Sequence, residues 1–345
     1  MVIGVSKPLS YGWYTCNETY TPSPEIETVE EFYVNINQDS KTPIHEYVEN
    51  DLPFEAFIKM QKKDKDTGKY VTFSNATFQL EKLDEDTNEW KQVKCKVGNQ
   101  YFDKWTTLED GTVNTETKLE AGIYKLSECV IPEGFIGLED ELTFYVNNRN
   151  ETLEYDQDWD AWITVTAENI QPKGKLEVSK SINLRQNVDL SLISDIDFTK
   201  ISFKLVAAED IIDYADGSII YAKDTEVGKY NLDKNAKLTV DNIPMGAYYL
   251  QEISTIDGAV LDDTKYDVIF EKKDNVTKEY LVELNIENQT TLVEISKTDI
   301  TGENEVVGAH LSVLDENENV ISEWVSTSQK HTIEGLTVRK NIYFA

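Results

Sequence analysis

The chain is 345 residues long, with 64 acidic and 33 basic residues and a formal net charge of −31. The negative excess runs along the whole sequence, which argues against nucleic acid or an anionic membrane as partner, and the length calls for two or three domains. The longest apolar runs are strand-sized, none reaches a membrane span, and Met1 is followed by no basic stretch and apolar core of a secretory signal.

Taken in chain order, the elements read as β almost throughout. "YTCNETYTP" (14–22), "EYVENDLP" (46–53), "FIKMQKKDKDTGK" (57–69), "YKLSECVIP" (124–132) and "WITVTAEN" (162–169) come first. "LEVSKSI" (176–182), "KLTVDNI" (237–243), "YYLQEISTI" (248–256), "YDVIFE" (266–271), "LNIENQTT" (284–291) and "TLVEISK" (291–297) follow. They alternate apolar and polar residues, are rich in β-branched and aromatic side chains, and are separated by turns such as "DTGK", "EDGT" and "IDGA". Residues 207–224 leave room for a short helix. Many short strands at such intervals indicate an all-β chain of sandwich domains.

Laid against itself, the chain repeats. The strand endings at 46–53, 165–172 and 284–291 align on Asn50, Asn169 and Asn288, with a constant step (169 − 50 = 288 − 169 = 119 residues). The strands that follow align on Lys62, Lys180 and Lys297, and the segments 14–22, 124–132 and 248–256 align on Glu18, Glu128 and Glu252. Within a period the order is Lys, Glu, Asn. Residues 53–171 and 172–289 are therefore expected to be complete domains. Residues 1–52 carry the back half of a preceding unit and 290–345 the front half of a following one, so the chain reads as a fragment of a longer repeat array.

Facing sharpens this pattern. Alternate residues of a strand share a face, so each lysine ends an apolar row: Ile58, Met60, Lys62; Leu176, Val178, Lys180; Val293, Ile295, Lys297. The asparagines close the rows Ile163, Val165, Ala167 and Val282, Leu284, Ile286, and the acids follow Tyr124/Leu126 and Tyr248/Leu250. One such residue is ordinarily a solvated strand end. A recurrent inward Lys, Glu and Asn requires a joint explanation, because buried Lys and Glu are rare unless paired. Desolvation favours the neutral forms of both ionisable groups. A neutral amine is a nucleophile, and set against an asparagine carboxamide with a neighbouring acid to relay protons, it forms an isopeptide bond and releases ammonia. That chemistry needs no metal or cofactor and turns over once.

The residues "KKDKDTGK…ATFQL…GIYKLSECVIPEGF…ITVTAEN" resemble the B-type domain of Gram-positive collagen adhesins, also called the SpaA or prealbumin-like domain. The resemblance extends over nearly the whole chain, about one domain per period. It implies immunoglobulin-like (prealbumin-like) β-sandwiches stapled by self-formed Lys–Asn bonds, in the stalks of surface adhesins and in pilins. By position it implies a Lys62–Asn169 bond catalysed by Glu128 and a Lys180–Asn288 bond catalysed by Glu252, with Glu18, Asn50 and Lys297 as equivalents in the incomplete units. It also implies an extracellular, cell-surface or cell-wall location, and a structural role instead of an enzyme's. The expected partners are neighbouring domains of the same chain, with host matrix protein or glycan reached through other domains. The alternatives are a pilus shaft or minor pilin subunit, and a collagen- or glycan-binding module. The second unit departs from the pattern, with "KSINLRQNVDLSLISDIDFTKISFKL" replacing a short turn and "TIDGAVL" replacing the P-x-G-[YF] tail.

Weaker signals have plainer readings. "DKDTGK" (64–69) and "DENENV" (315–320) lack the glycine and closing glutamate of a calcium loop, so solvated turns are expected. Cys16, Cys95 and Cys129 and the histidines His45, His310 and His331 form no metal-binding or disulfide pattern. Cys16 stands where Leu126 and Leu250 stand and is expected to be a small core residue. "DWDAWI" (158–163) with Tyr155 is expected to pack between sheets or domains, an exposed platform for sugar being the other reading.

Overall fold

The computed structural model describes residues 7, 9–29, 31–37, 52–183, 196–337 and 343–344. The chain divides into two compact units, Met1–Gln171 with Tyr214–Gly217, and Pro172–Asp213 with Ser218–Ala345. Strand dominates both. Among the described residues the one helical element is a 3-10 turn at Phe198–Lys200, and no helix there is long and apolar enough to cross a membrane.

In the first unit, β1 (Gly12–Cys16) and β2 (Phe32–Ile36) form an antiparallel pair. The main sandwich begins with β3 (Glu55–Asp64), β4 (Thr77–Asp84) and β5 (Glu89–Gln92). Short strands β6 (Cys95–Val97), β7 (Gln100–Phe102), β8 (Trp105–Thr106), β9 (Thr112–Asn114) and β10 (Leu119–Glu120) lead to β11 (Gly122–Val130). It closes with β12 (Leu142–Val146), β13 (Leu153–Tyr155) and β14 (Ala161–Asn169). One sheet runs β10-β3-β14-β13 and the other β12-β11-β4-β5, with β9 added to β3 and β8 to β4. Alternation decides which residues meet. Ile58 and Met60 from β3, Phe78 and Leu80 from β4, Tyr124 and Leu126 from β11, and Ile163 and Val165 from β14 share one core.

The second unit repeats this frame. Its strands are β15 (Lys173–Asn183), β16 (Ser202–Ala207), β17 (Ile211–Ile212), β18 (Ile219–Tyr221), β19 (Glu226–Asn231), β20 (Lys237–Pro244), β21 (Gly246–Ser254), β22 (Lys265–Phe270) and β23 (Glu279–Gln289). They make sheets β20-β15-β23 and β19-β16-β21-β22 around Val178, Phe203, Leu205, Tyr248, Leu250 and Ile286. The same unit carries β24 (Leu292–Ile295), β25 (His310–Leu314), β26 (Val320–Val325), β27 (His331–Glu334) and β28 (Tyr343–Phe344). There β25 pairs with β28 as β4 pairs with β11 and β16 with β21. Residues 207–224 form no helix; β17 and β18 pair as an antiparallel ribbon.

In each sandwich the first and last strands lie side by side and parallel, β3 with β14 and β15 with β23. Parallel neighbours need a long crossover, and here the rest of the domain supplies it. The strands through which the chain enters and leaves each domain are thus hydrogen-bonded to each other.

Candidate cross-linking site

The lysines come into position through strand parity. Along β3, Ala56, Ile58, Met60, Lys62 and Asp64 are all buried, and along β15 so are Leu176, Val178 and Lys180. Backbone bonds fix both lysines: Lys62 N–H donates to Gly111 O (2.9 Å) and Lys180 N–H to Ala236 O (2.9 Å). Asn169 ends the buried row Ile163, Val165, Ala167, and Asn288 follows Ile286. The register offset is identical in the two units. Lys62 stands opposite Ala167 with Asn169 two residues farther along, and Lys180 stands opposite Ile286 with Asn288 two farther along. A lysine side chain leaning along the strand reaches its asparagine across that diagonal.

The acid arrives from the facing sheet. Glu128 pairs with Phe78 and Glu252 with Phe203, and both phenylalanines are fully buried. Directly after each acid the register slips by one residue, at Cys129 and at Ile253. Such bulges bend a strand and re-aim side chains. At the other end of the acid strands, Tyr124 and Tyr248 donate their hydroxyls to the carbonyls four residues earlier, Glu120 O and Pro244 O (2.8 Å each). Tyr14 does the same to Ser10 O (2.7 Å), four residues ahead of Glu18. Burial raises the hydroxyl pKa of both Tyr124 and Tyr248. A glycine opens β11 and β21, Gly122 (φ +150°) and Gly246 (φ +139°). A Cβ there would press on Lys82 in the first case and Ile211 in the second, at 2.7 and 2.6 Å.

These elements bring together the three predicted side chains in both complete units. In the first, Lys62 Nζ lies 3.1 Å from Glu128 Oε1, with side-chain exposures of 0% and 3%. Asn169 Nδ2 donates to both carboxylate oxygens of Glu128, at 3.0 and 2.8 Å. Lys62 Nζ meets its acid at ion-pair distance but outside hydrogen-bond geometry, and Asn169 Oδ1 also lacks a hydrogen bond. In the second, Lys180 Nζ donates to Glu252 Oε2 (3.2 Å) and to Asn288 Oδ1 (2.5 Å), while Asn288 Nδ2 donates to Glu252 Oε1 (2.9 Å). Lys180 Nζ also sits 5.5 Å from the centre of the Phe203 ring. Burial pulls the Lys62 amine down to about 8, against the opposing pull of Glu128. It lowers Lys180 as well, against Glu252.

The family model for the SpaA prealbumin-like fold domain matches residues 57–159 and 197–284, more than half of the chain. The chain belongs to the SpaA family of prealbumin-like fold domains. No curated protein matches it by sequence. Among solved structures it is similar to the Bacillus anthracis TIE protein, at 14% identity and a TM-score of 0.49 over 92% of this chain and 52% of that one. A streptococcal ancillary pilin is 16% identical with a TM-score of 0.32, over 84% of this chain and 95% of that one. The minor pilin of Streptococcus agalactiae is 15% identical with a TM-score of 0.25, over 68% and 96%. This chain spans about half the length of the Bacillus anthracis protein.

Each SpaA unit thus has its triad, and some expectations outside it need correction. Glu18 is half-buried and accepts from Val29 N–H (2.9 Å), while Asn50 lies outside the described residues. Lys297 does not end a buried row: β24 stops at Ile295 and Lys297 is exposed, its backbone N–H bonded to Glu305 Oε2 (3.0 Å). Cys16 is half-buried, not a core residue. The tryptophan pair splits, Trp162 stacking on Phe57 at 4.8 Å while Trp159 is 81% exposed. Asp64 organises the "DKDTGK" turn, its Oδ1 accepting from Asp66 N–H, Thr67 N–H and Thr67 Oγ1 and its Oδ2 from Gln171 Nε2. Sequence reasoning missed Thr255, whose Oγ1 accepts from Asn288 Nδ2 (3.0 Å), and the backbone N–H of Asp262, which donates to Glu252 Oε2 (3.3 Å). Thr255 falls three residues after the acid, outside the period-2 row that revealed the other three.

Proposed function

We propose that residues 53–171 and 172–289 are tandem stalk domains of a bacterial cell-surface protein, each stapled by a self-formed isopeptide bond. The bonds join Lys62 to Asn169 and Lys180 to Asn288, with Glu128 and Glu252 as the respective proton relays. The observation that carries this reading is the recurrence, in two sandwiches, of a buried Lys and Asn on adjacent parallel strands with a glutamate directed at both from the opposite sheet. A buried ion pair would be a weak source of stability. Three repeated polar groups at the end of a core are better accounted for by a reaction that consumes two of them.

The steps balance without a co-reactant. The lysine ammonium passes a proton to the glutamate, and the freed amine attacks the asparagine Cγ to give a tetrahedral adduct. The glutamic acid protonates Nδ2, the C–Nδ2 bond breaks, and ammonia leaves. The carboxylate then takes the surplus proton from the new amide nitrogen. Each bond closes a loop of 107 or 108 residues (169 − 62 and 288 − 180). By analogy with a disulfide, closing so long a loop stabilises by roughly 4–5 kcal/mol in the chain-entropy model. The role is structural, and a cell-surface location fits the family.

Glutamate variants test the assignment. A Glu128→Ala chain should lose one ammonia, from the second unit; Glu252→Ala should lose one from the first; the double variant should keep its sequence mass. Loss of two ammonia molecules from Glu128→Ala would refute the catalytic assignment.

A further inference from the structure

We infer that Thr255 holds the leaving amide of Asn288 and thereby gives the two cross-links different kinetics. The inference rests on the isopeptide reading above. A carboxamide nitrogen has two hydrogens to place. In the first unit Nδ2 of Asn169 is held by Glu128 alone, lying 3.0 and 2.8 Å from its two oxygens. The amide straddles the carboxylate, and Lys62 lies 3.1 Å from Oε1 with no hydrogen bond. In the second unit one hydrogen goes to Glu252 Oε1 (2.9 Å) and the other to Thr255 Oγ1 (3.0 Å). The amide is thus drawn to one end of the carboxylate, and Glu252 Oε2 faces Lys180, accepting from it at 3.2 Å, with the Asp262 backbone N–H on the same oxygen at 3.3 Å. The carboxamide is turned so that its oxygen faces the amine, Lys180 Nζ to Asn288 Oδ1 being 2.5 Å.

The consequence is a division of labour on the acid. One oxygen faces the amine that must give up a proton, and the other faces the nitrogen that must receive one. A relay between two atoms is shortest when the carboxylate bridges them, and small departures from such a geometry are costly in rate. The first unit has Ile131 at the position equivalent to Thr255, three residues after its acid, and an isoleucine side chain offers no acceptor. Its amide therefore has no second acceptor to draw it to one end of Glu128, and it lies across the oxygen that Lys62 faces. The second bond forms faster than the first.

The test is kinetic, because end-point masses would be blind to rate. The whole chain is made by cell-free translation, synthesis is stopped, and the tryptic peptides joined through Lys180–Asn288 and through Lys62–Asn169 are followed with time by mass spectrometry. In the unaltered chain the second bond should appear first. Thr255→Val keeps the size and removes the acceptor, and should slow the Lys180–Asn288 bond by about tenfold or more while the Lys62–Asn169 bond keeps its rate. Thr255→Ser restores the hydroxyl and should return most of that loss, which a packing role for the threonine would not do. Equal rates in Thr255→Val and the unaltered chain, or no recovery with serine, would overturn the inference and leave the cross-link reading standing. Absence of both joined peptides from the unaltered chain would overturn the two together.

Discussion

The protonation of the lysine and its acid must be counted as one system. The reactive arrangement, neutral amine with neutral acid, holds the same number of protons as the ion pair, so converting one to the other leaves the pH dependence flat. Lys62 is pulled down to about 8 by burial. Above that pH the pair gives up its shared proton, leaving a nucleophile without an acid to protonate the departing nitrogen. The Lys62–Asn169 bond should therefore form at a rate that is level from neutrality to about pH 8 and falls above it, measured on freshly synthesised chain. A rate that instead climbs through pH 8 would mean that the neutral amine alone limits the reaction. The residues that meet at the site are readable from the sequence, because Lys62, Lys180, Asn169 and Asn288 each continue an apolar row at period two. Lys297 continues such a row too, and it is exposed, because its strand ends at Ile295 before the lysine is reached. Parity fixes a face only for as long as the strand lasts.

At the scale of elements, the decisive features are the parallel pairing of first and last strands and the two-residue offset between lysine and asparagine. Sequence periodicity shows which residues point inward, but pairing register between strands a hundred residues apart is set by tertiary packing and leaves no local trace. The bulges at Cys129 and Ile253 were hidden for the same reason, since either residue continues a plausible strand. Residues 207–224 are ambiguous in the sequence because short apolar runs do not separate helix from strand. The register makes a sharp prediction. In a Glu168→Asn/Asn169→Ala chain the carboxamide moves to the opposite face of β14 and the Lys62 cross-link should vanish. In an Ala167→Asn/Asn169→Ala chain it stands directly beside Lys62, behind the reach of the amine, and the yield should fall sharply. Joined-peptide mapping reads both, with Lys180–Asn288 as the internal standard. Full yield from the face-swapped variant would show that the strand geometry does not govern the reaction.

For the whole molecule, the consequence is mechanical. A pull along a row of such domains enters through β3 or β15 and leaves through β14 or β23. Without a cross-link that load falls on strand pairing alone; with one it falls on a covalent bond. Single-molecule stretching should show no unfolding step from the cross-linked units at forces that open ordinary sandwiches. A chain carrying Asn169→Ala should gain one step of roughly 35–39 nm, the extended length of the 107 residues released from the loop (169 − 62). The central claim, that the two buried triads react, is tested most directly by the intact mass of the unaltered chain with mapping of its joined peptides. The account predicts a mass below that of the sequence by two molecules of ammonia, with Lys62 joined to Asn169 and Lys180 to Asn288; the full sequence mass would contradict it.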